Sequence, residues 1–197
     1  MSNQSDADLI LQVQEGSLEA LGVLYDRHRQ LVFRTVLAIS GDPDVANDLL
    51  QDVFLRLYRF IDRVDTCRPL EPWLYRMSTN LTYTWVKRNT RWTRPLDEMA
   101  EWLGGGGKNS PHDAVERKDD VDQIHKALSS LSPSQRVVVV LYYLNDLSLH
   151  EISEILEIPV GTVKSRLHYG RQALKKKLDV RGLADRDKLP DFKYEGS

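Results

Sequence analysis

An all-α fold, built as two small helical domains joined by a flexible linker, is what this sequence predicts, and three observations carry the prediction. Apolar residues recur at helical spacing on both sides of the segment 93–118. Helix-start signals precede those stretches: Ser5-Asp6, Asp42-Pro43, Ser132-Pro133-Ser134-Gln135, and Ser148 with Glu151. Between Thr93 and Lys118 the periodicity fails around Gly104–Gly107.

Taken in order, Ser5-Asp6 caps a short helix carrying Leu9, Ile10 and Val13, which Gly16 ends. Ser17 starts a long amphipathic helix with Leu18, Leu21, Leu24, Tyr25, Leu31, Val32, Val36 and Ile39 inward. Asp42 caps a third helix with Pro43 in its first turn. That helix runs to about Ile61, with Val45, Leu49, Leu50, Val53, Phe54, Leu57, Tyr58 and Ile61 inward and Asp44, Asp48, Gln51, Asp52 and Arg56 outward. A loop from Asp62 to Glu71 follows, and Pro72 opens a fourth helix. Trp73, Leu74, Met77, Leu81 and Trp85 serve its core; Arg76, Asn80, Tyr83, Thr84, Lys87, Arg88 and Arg91 are left for the surface. Cations, amides and an aromatic without acids suit melted DNA, whose bases stack on rings while Lys and Arg meet the backbone.

Residues 93–118 form the expected linker. As random coil, ~26 residues have an r.m.s. span near ~28 Å and an extended reach near ~85 Å, so such a segment tethers two domains without fixing their separation. In the second domain Val121, Ile124 and Leu128 mark one helix. The run Val137–Leu144 has strand propensity. It is assigned to a helix because a cap precedes it and no partner strand exists. Ser148 with Glu151 then opens a short helix bearing Leu149, Ile152, Ile155 and Leu156. A tight turn with Pro159 and Gly161 follows, and then a helix with Val163, Leu167, Leu174 and Leu178 inward. Gly170 stands at the edge of that face, and Ser165, Tyr169, Gln172 and Lys176 point away from it. Glu157 stands where such a turn often carries Gly. From Val160 to Lys177 there are six Lys or Arg and no Asp or Glu. A cationic helix held outward by a shorter one is the geometry that enters a major groove. The tail 179–197 has no period and is expected to be mobile.

The whole chain has 197 residues and a net charge of -2. That mild acidity hides segregation: acids crowd Asp42–Asp65, while Arg76–Arg94 and Val160–Lys177 are acid-free. Two acid-free basic stretches point to two nucleic-acid contacts and at least one protein contact. Cys67 is the only cysteine, so no intrachain disulfide forms. No clustered pair with metal-ligand spacing appears, and no metal or cofactor is expected. Ser-His-Asp, P-loop and Gly-rich phosphate signatures are missing, so an enzyme is not expected. No run approaches the ~18 apolar residues of a membrane span, and the start MSNQSDADLI has neither basic flank nor signal-peptide core. The expected location is cytoplasmic.

Two stretches carry a family resemblance: DLLQDVFLRLYRFIDR with EPWLYRMSTNLTYTWVKR, and LSPSQRVVVVLYYLNDLSLHEISEILEIPVGTVKSRLHYGRQALKKKL. Together they resemble the two domains of an extracytoplasmic-function (ECF) sigma factor, a small RNA polymerase sigma subunit of the sigma-70 family. The resemblance implies a region 2 domain over 1–92, a linker over 93–118, a region 4 helix-turn-helix domain over 119–178 and a tail over 179–197. It implies docking of Asp48, Gln51, Asp52, Leu55 and Arg56 on the largest subunit of core RNA polymerase, with the second domain resting on the other large subunit. It implies minus-ten contacts from Asp65, Thr66, Cys67 and Arg68 in the loop and from Asn80, Tyr83, Thr84, Lys87 and Arg88. It implies minus-thirty-five contacts from Thr162, Lys164, Ser165, Arg166, His168, Tyr169 and Arg171, of which Arg166 and Arg171 hold phosphates. Promoter melting and transcription initiation follow as the implied activity, stress- or signal-responsive and controlled by an anti-sigma factor, with the free subunit a monomer that binds promoters weakly. The sequence departs from the family at His168 and Tyr169, where a bulky apolar residue and Arg are frequent. The alternative is a conventional helix-turn-helix activator or repressor, which would bind duplex operator alone and tightly.

Overall fold

The computed structural model describes residues 4–89 and 124–179, the last two without their side chains. The expected linker, Arg91, Val121, Leu178 as a core residue, and the tail from 180 onward lie outside what is described.

All regular structure among the described residues is helical. The elements are α1 (Asp6–Gln14), α2 (Leu18–Ser40), α3 (Pro43–Arg59), a 3-10 turn (Ile61–Arg63), α4 (Glu71–Arg88), α5 (124–129), α6 (Pro133–Tyr143), α7 (Leu149–Leu156) and α8 (Val160–Asp179). The start signals act as their chemistry dictates. Ser5, Ser132 and Ser148 each close a capping box, with Asp8, Gln135 and Glu151. The Asp42 carboxylate accepts from the Asp44 and Val45 amides ahead of Pro43. α4 starts at Glu71, one residue before the expected Pro72, and Leu70 gives it no side-chain cap.

The first body packs α1 to α4 around Leu9, Leu24, Val36, Val53, Leu57 and Leu74, with Tyr25 and Phe54 edge to face at 4.9 Å. In the second, α6 is the hub. Val137 to Leu141 are buried without interruption, so the strand-like run is a helix surrounded on every side. Three residues read as core differ. Leu18, Tyr58 and Ile124 are exposed, each on a flank that no other described element covers.

The two bodies are not held apart. Ala38 and Ile39 of α2, with Tyr75 and Val86 of α4, share one apolar cluster with Val137–Leu141, Ile152, Ile155 and Leu167. This seam explains why the C-terminal half of α2 is buried on all sides, from Thr35 to Ser40. Polar groups cross it too. Arg136, 4% exposed, donates from Nη1 to the Ile39 carbonyl at 2.9 Å. Its other nitrogens reach the carbonyls of Leu128, Ser129 and Leu131 at 2.8, 2.8 and 3.3 Å. The Asn145 amide donates to the Thr35 hydroxyl at 3.0 Å, and the Arg76 guanidinium meets the Glu157 carboxylate at 2.6 Å.

Candidate nucleic-acid interface

α7, the 157–159 turn and α8 form a helix-turn-helix. Ile152 and Ile155 pin α7 to the core, and Val163 and Leu167 pin α8. Glu157 ends α7 in the left-handed region at φ 52°. The Ser153 hydroxyl bridges the turn, donating to the Ile158 carbonyl at 2.5 Å. Gly170 lets α8 lie close to α6: a Cβ there would stand 2.8 Å from Val139 Cγ2.

With its inner face so fixed, α8 turns Lys164, His168 and Tyr169 fully outward, the last 59% exposed. Thr162, Ser165, Arg166 and Arg171 are half-buried at its margins. The Ser165 hydroxyl is turned back onto the Thr162 carbonyl at 3.0 Å. Arg171 lies close enough to the Tyr143 phenol to offset in part the upward push that burial gives its pKa. Gln172 is an addition to the sequence-derived set: its Nε2 lies 3.0 Å from His168 Nε2, and His168 stacks edge-on with Tyr169. Its spacing, four residues from His168, was the available signal.

α4 places Asn80, Tyr83, Thr84, Lys87 and Arg88 on one exposed face, at successive helical turns. Its opposite face is held by Leu74, Tyr75 and Val86, and by Ser78, Thr79 and Thr82, whose hydroxyls bond back to carbonyls one turn earlier. Arg76 is drawn off this surface toward Glu157. In the loop before α4, the Asp65 carboxylate accepts from the Cys67 amide at 2.9 Å and approaches Arg68 at 3.4 Å. Cys67 and Arg68 are exposed and Thr66 is half-buried. On α3, Asp48, Gln51, Asp52, Leu55 and Arg56 share one exposed stripe, and Tyr58 extends it. Leu55 is 63% exposed, an apolar side chain left uncovered among the described residues.

One grouping is invisible to linear spacing. Ligand atoms of Asp6, His28 and Glu71 come within 4.8 Å of one another. Asp6 is already engaged there, by buried His28 at 2.6 Å and by Arg27. No described helix is long and apolar enough to cross a membrane.

The profile of the family described as Sigma-70 region 2 matches residues 24–92, and that of Sigma-70, region 4 matches 122–174. The ECF RNA polymerase sigma factor SigW of Bacillus subtilis is 35% identical over 178 residues, covering 86% of this chain and 94% of that protein. The ECF RNA polymerase sigma-E factor of Escherichia coli is 28% identical over 186 residues, covering 90% and 97%. Among solved structures, CnrH in complex with the cytosolic domain of CnrY superposes with a TM-score of 0.66 at 22% identity, covering 90% of this chain and 99% of that one. The sigma factor RpoE from Bartonella quintana, in complex with the anti-sigma factor NepR, does so at 0.59 and 22%, covering 78% and 92%. At that identity the two structures speak for the fold, and the sequence relatives for the family. The chain belongs to the extracytoplasmic-function sigma factors of the sigma-70 family.

Proposed function

We propose that this chain directs core RNA polymerase to promoters and takes part in melting them. The α3 stripe of Asp48, Gln51, Asp52, Leu55 and Arg56 docks on the largest polymerase subunit. The loop 65–68 and the outer face of α4 hold the minus-ten element as single strand, and α8 reads the minus-thirty-five element as duplex. The observation that supports this best is that one chain exposes both an acid-free α4 face and an acid-free α8 face. A groove-reading helix needs an intact duplex, whose base edges it can sort by donor and acceptor pattern. A face of amides, cations and Tyr83 needs unpaired bases to stack and grip. The two requirements are met together only where a promoter is partly opened. An anti-sigma factor is proposed as the restraining partner, in line with the complex of the Bartonella quintana sigma factor with NepR.

The test is run-off transcription by core polymerase, with and without the chain, on a fragment carrying the promoter of its own gene. Initiation that requires the chain is expected. Failure to bind core polymerase, together with tight binding to duplex operator by the chain alone, would replace this reading with a conventional regulator.

A further inference from the structure

We propose that Asp6, His28 and Glu71 form a site for one first-row divalent cation, with Zn2+ the best fit. Three helices supply it: Asp6 opens α1, His28 lies inside α2 and Glu71 opens α4. One donor atom from each falls within 4.8 Å of the other two. His28 is only 5% exposed, and its Nε2 faces Asp6 Oδ2 at 2.6 Å. Both carboxylates are half-buried. Residues 6, 28 and 71 share no linear spacing, so the fold alone assembles the group. Arg27 binds the other Asp6 oxygen, Oδ1, and also the Gln4 carbonyl at 2.8 Å, which leaves Oδ2 turned toward His28. Glu71 has neither hydrogen bond nor ion pair among the described residues. Two carboxylates thus share one corner with a single guanidinium, and a divalent cation supplies the missing charge.

Donor chemistry narrows the ion. One imidazole nitrogen and two carboxylate oxygens suit Zn2+ and its first-row neighbours, whereas Ca2+ and Mg2+ take oxygen ligands. Zinc bonds of ~2.1 Å in tetrahedral geometry set neighbouring donors ~3.4 Å apart. The 2.6 Å pair therefore opens and the separations of up to 4.8 Å close. Rotation of two half-buried carboxylate side chains provides that change. The cation takes the place of the proton between His28 Nε2 and Asp6, so binding releases a proton. Water fills the fourth position, and Arg27 holds Asp6 from behind, as partners outside the ligand shell do.

The position of the site gives it a consequence. Glu71 is the first residue of α4, and Leu70 offers that helix no side-chain cap. The chain enters there from the 3-10 turn, where Gln14 of α1 donates to the Ile61 carbonyl at 3.0 Å. A cation on Glu71 fastens the loop and the first turn of α4 to α1 and α2. The face from Asn80 to Arg88 lies further along the same helix. What a firmer α4 means for the minus-ten element rests on the function proposed above; the cation site does not.

The test is titration of the chelator-treated full chain with Zn2+ by calorimetry, and with Co2+ by visible absorption. Zinc should saturate at one equivalent in the triad, and Co2+ should develop ligand-field bands that Zn2+ then removes. Glu71→Gln, a change at a half-buried position outside the core, should weaken zinc binding at least tenfold and abolish the Co2+ bands. Asp6→Asn should do the same, and His150→Gln, which alters an exposed histidine of α7, should change neither. Zinc should raise the unfolding temperature of the parent and leave that of Glu71→Gln where it was. It should also slow amide hydrogen exchange across residues 61–75 in the parent alone. Magnesium at the same concentration should do none of this. No binding by the parent would overturn the proposal. So would zinc held equally well by Glu71→Gln and Asp6→Asn, which would mark adventitious binding at surface histidines only. None of these readouts involves polymerase or promoter, so their failure would leave the function proposed above untouched.

Discussion

The Arg136 guanidinium of α6 donates to the Ile39 carbonyl at the end of α2, 2.9 Å away and screened from water. The same group holds three further carbonyls around the 128–131 corner, so one side chain closes a loop and joins two bodies. Burial lowers its pKa to about 10, which leaves it charged at neutral pH. Arg136→Met removes the donors and orphans buried carbonyls. A loss of about 3 kcal/mol is expected in urea unfolding. Arg136→Lys should recover little of it, because one ammonium cannot reproduce a planar fork spread over four acceptors. A lysine variant as stable as the parent would show that only the charge counts.

Beside Arg136 lies His125, whose pKa is pushed down to about 4 by burial first and by the Arg136 charge second. Its ordinary value is 6.5, so between those limits the unfolded chain binds a proton that the folded chain refuses. Stability should fall as pH drops from about 6.5 to about 4, and this contribution should level off below. The full effect is about 3 kcal/mol at most, from the linkage between pKa and folding. Unfolding measured against pH for the parent and His125→Gln checks it. The difference between the two curves should shift across that window; a constant offset would remove His125 from the account.

Why did helices read so easily and the seam not at all? A capping box spans four consecutive residues, so Ser132 with Gln135 and Ser148 with Glu151 are complete in the sequence. The Asp42-Pro43 start is equally local. Amphipathic period reports a single inner face, and it served α3, α4 and α8 in outline. It fails where a helix is covered twice. Thr35, Ala38 and Ser40 look like a surface flank until α6 lies over them. Arg136 looks like a solvated cation until α2 supplies its acceptor. Contacts with sequence separations such as that between Asn145 and Thr35 leave no mark on local pattern. The candidate DNA surfaces were legible because a missing acid is a local property; the outward position of Gln172 was legible too, and only its contact with His168 came from the fold.

Gly170 is a packing test within α8. Alanine raises helix propensity by about 1 kcal/mol, but here its Cβ meets Val139 Cγ2 at 2.8 Å, inside contact distance. Overpacking of this kind costs about 1–3 kcal/mol. Gly170→Ala should therefore destabilise the chain, and Val139→Ala in the same molecule should relieve part of the penalty. Thermal unfolding of the two single variants and the double reads this directly. Additive losses would mean the close approach carries no strain.

Asp48 and Asp52 stand one turn apart on the exposed stripe of α3. Reversing both to Lys should leave stability within about 0.5 kcal/mol, as expected of open surface positions. Core polymerase binding should fall at least tenfold, about 1.4 kcal/mol in free energy. Binding in a pull-down titration at unchanged affinity would move the docking surface elsewhere, with Leu55 and Tyr58 the next positions to test.

α8 separates reading from holding. Lys164 and Tyr169 project fully from the helix, while Arg171 lies half-buried at its margin beside the Tyr143 phenol. A side chain that reaches base edges discriminates, and its loss costs about 1–3 kcal/mol at the preferred sequence and little elsewhere. A side chain confined to the margin can grip phosphate, whose position scarcely depends on sequence. Lys164→Ala and Tyr169→Ala should therefore narrow the gap between the best and the altered minus-thirty-five elements in promoter-variant transcription. Arg171→Ala should weaken all of them alike and reduce the salt dependence of binding. The His168–Gln172 contact adds a sharper requirement: Gln172→Ala frees the His168 ring, so it should alter discrimination through His168 and have no further effect in a His168→Ala background. Equal losses from all these variants on every promoter would collapse the distinction and leave α8 a general phosphate clamp.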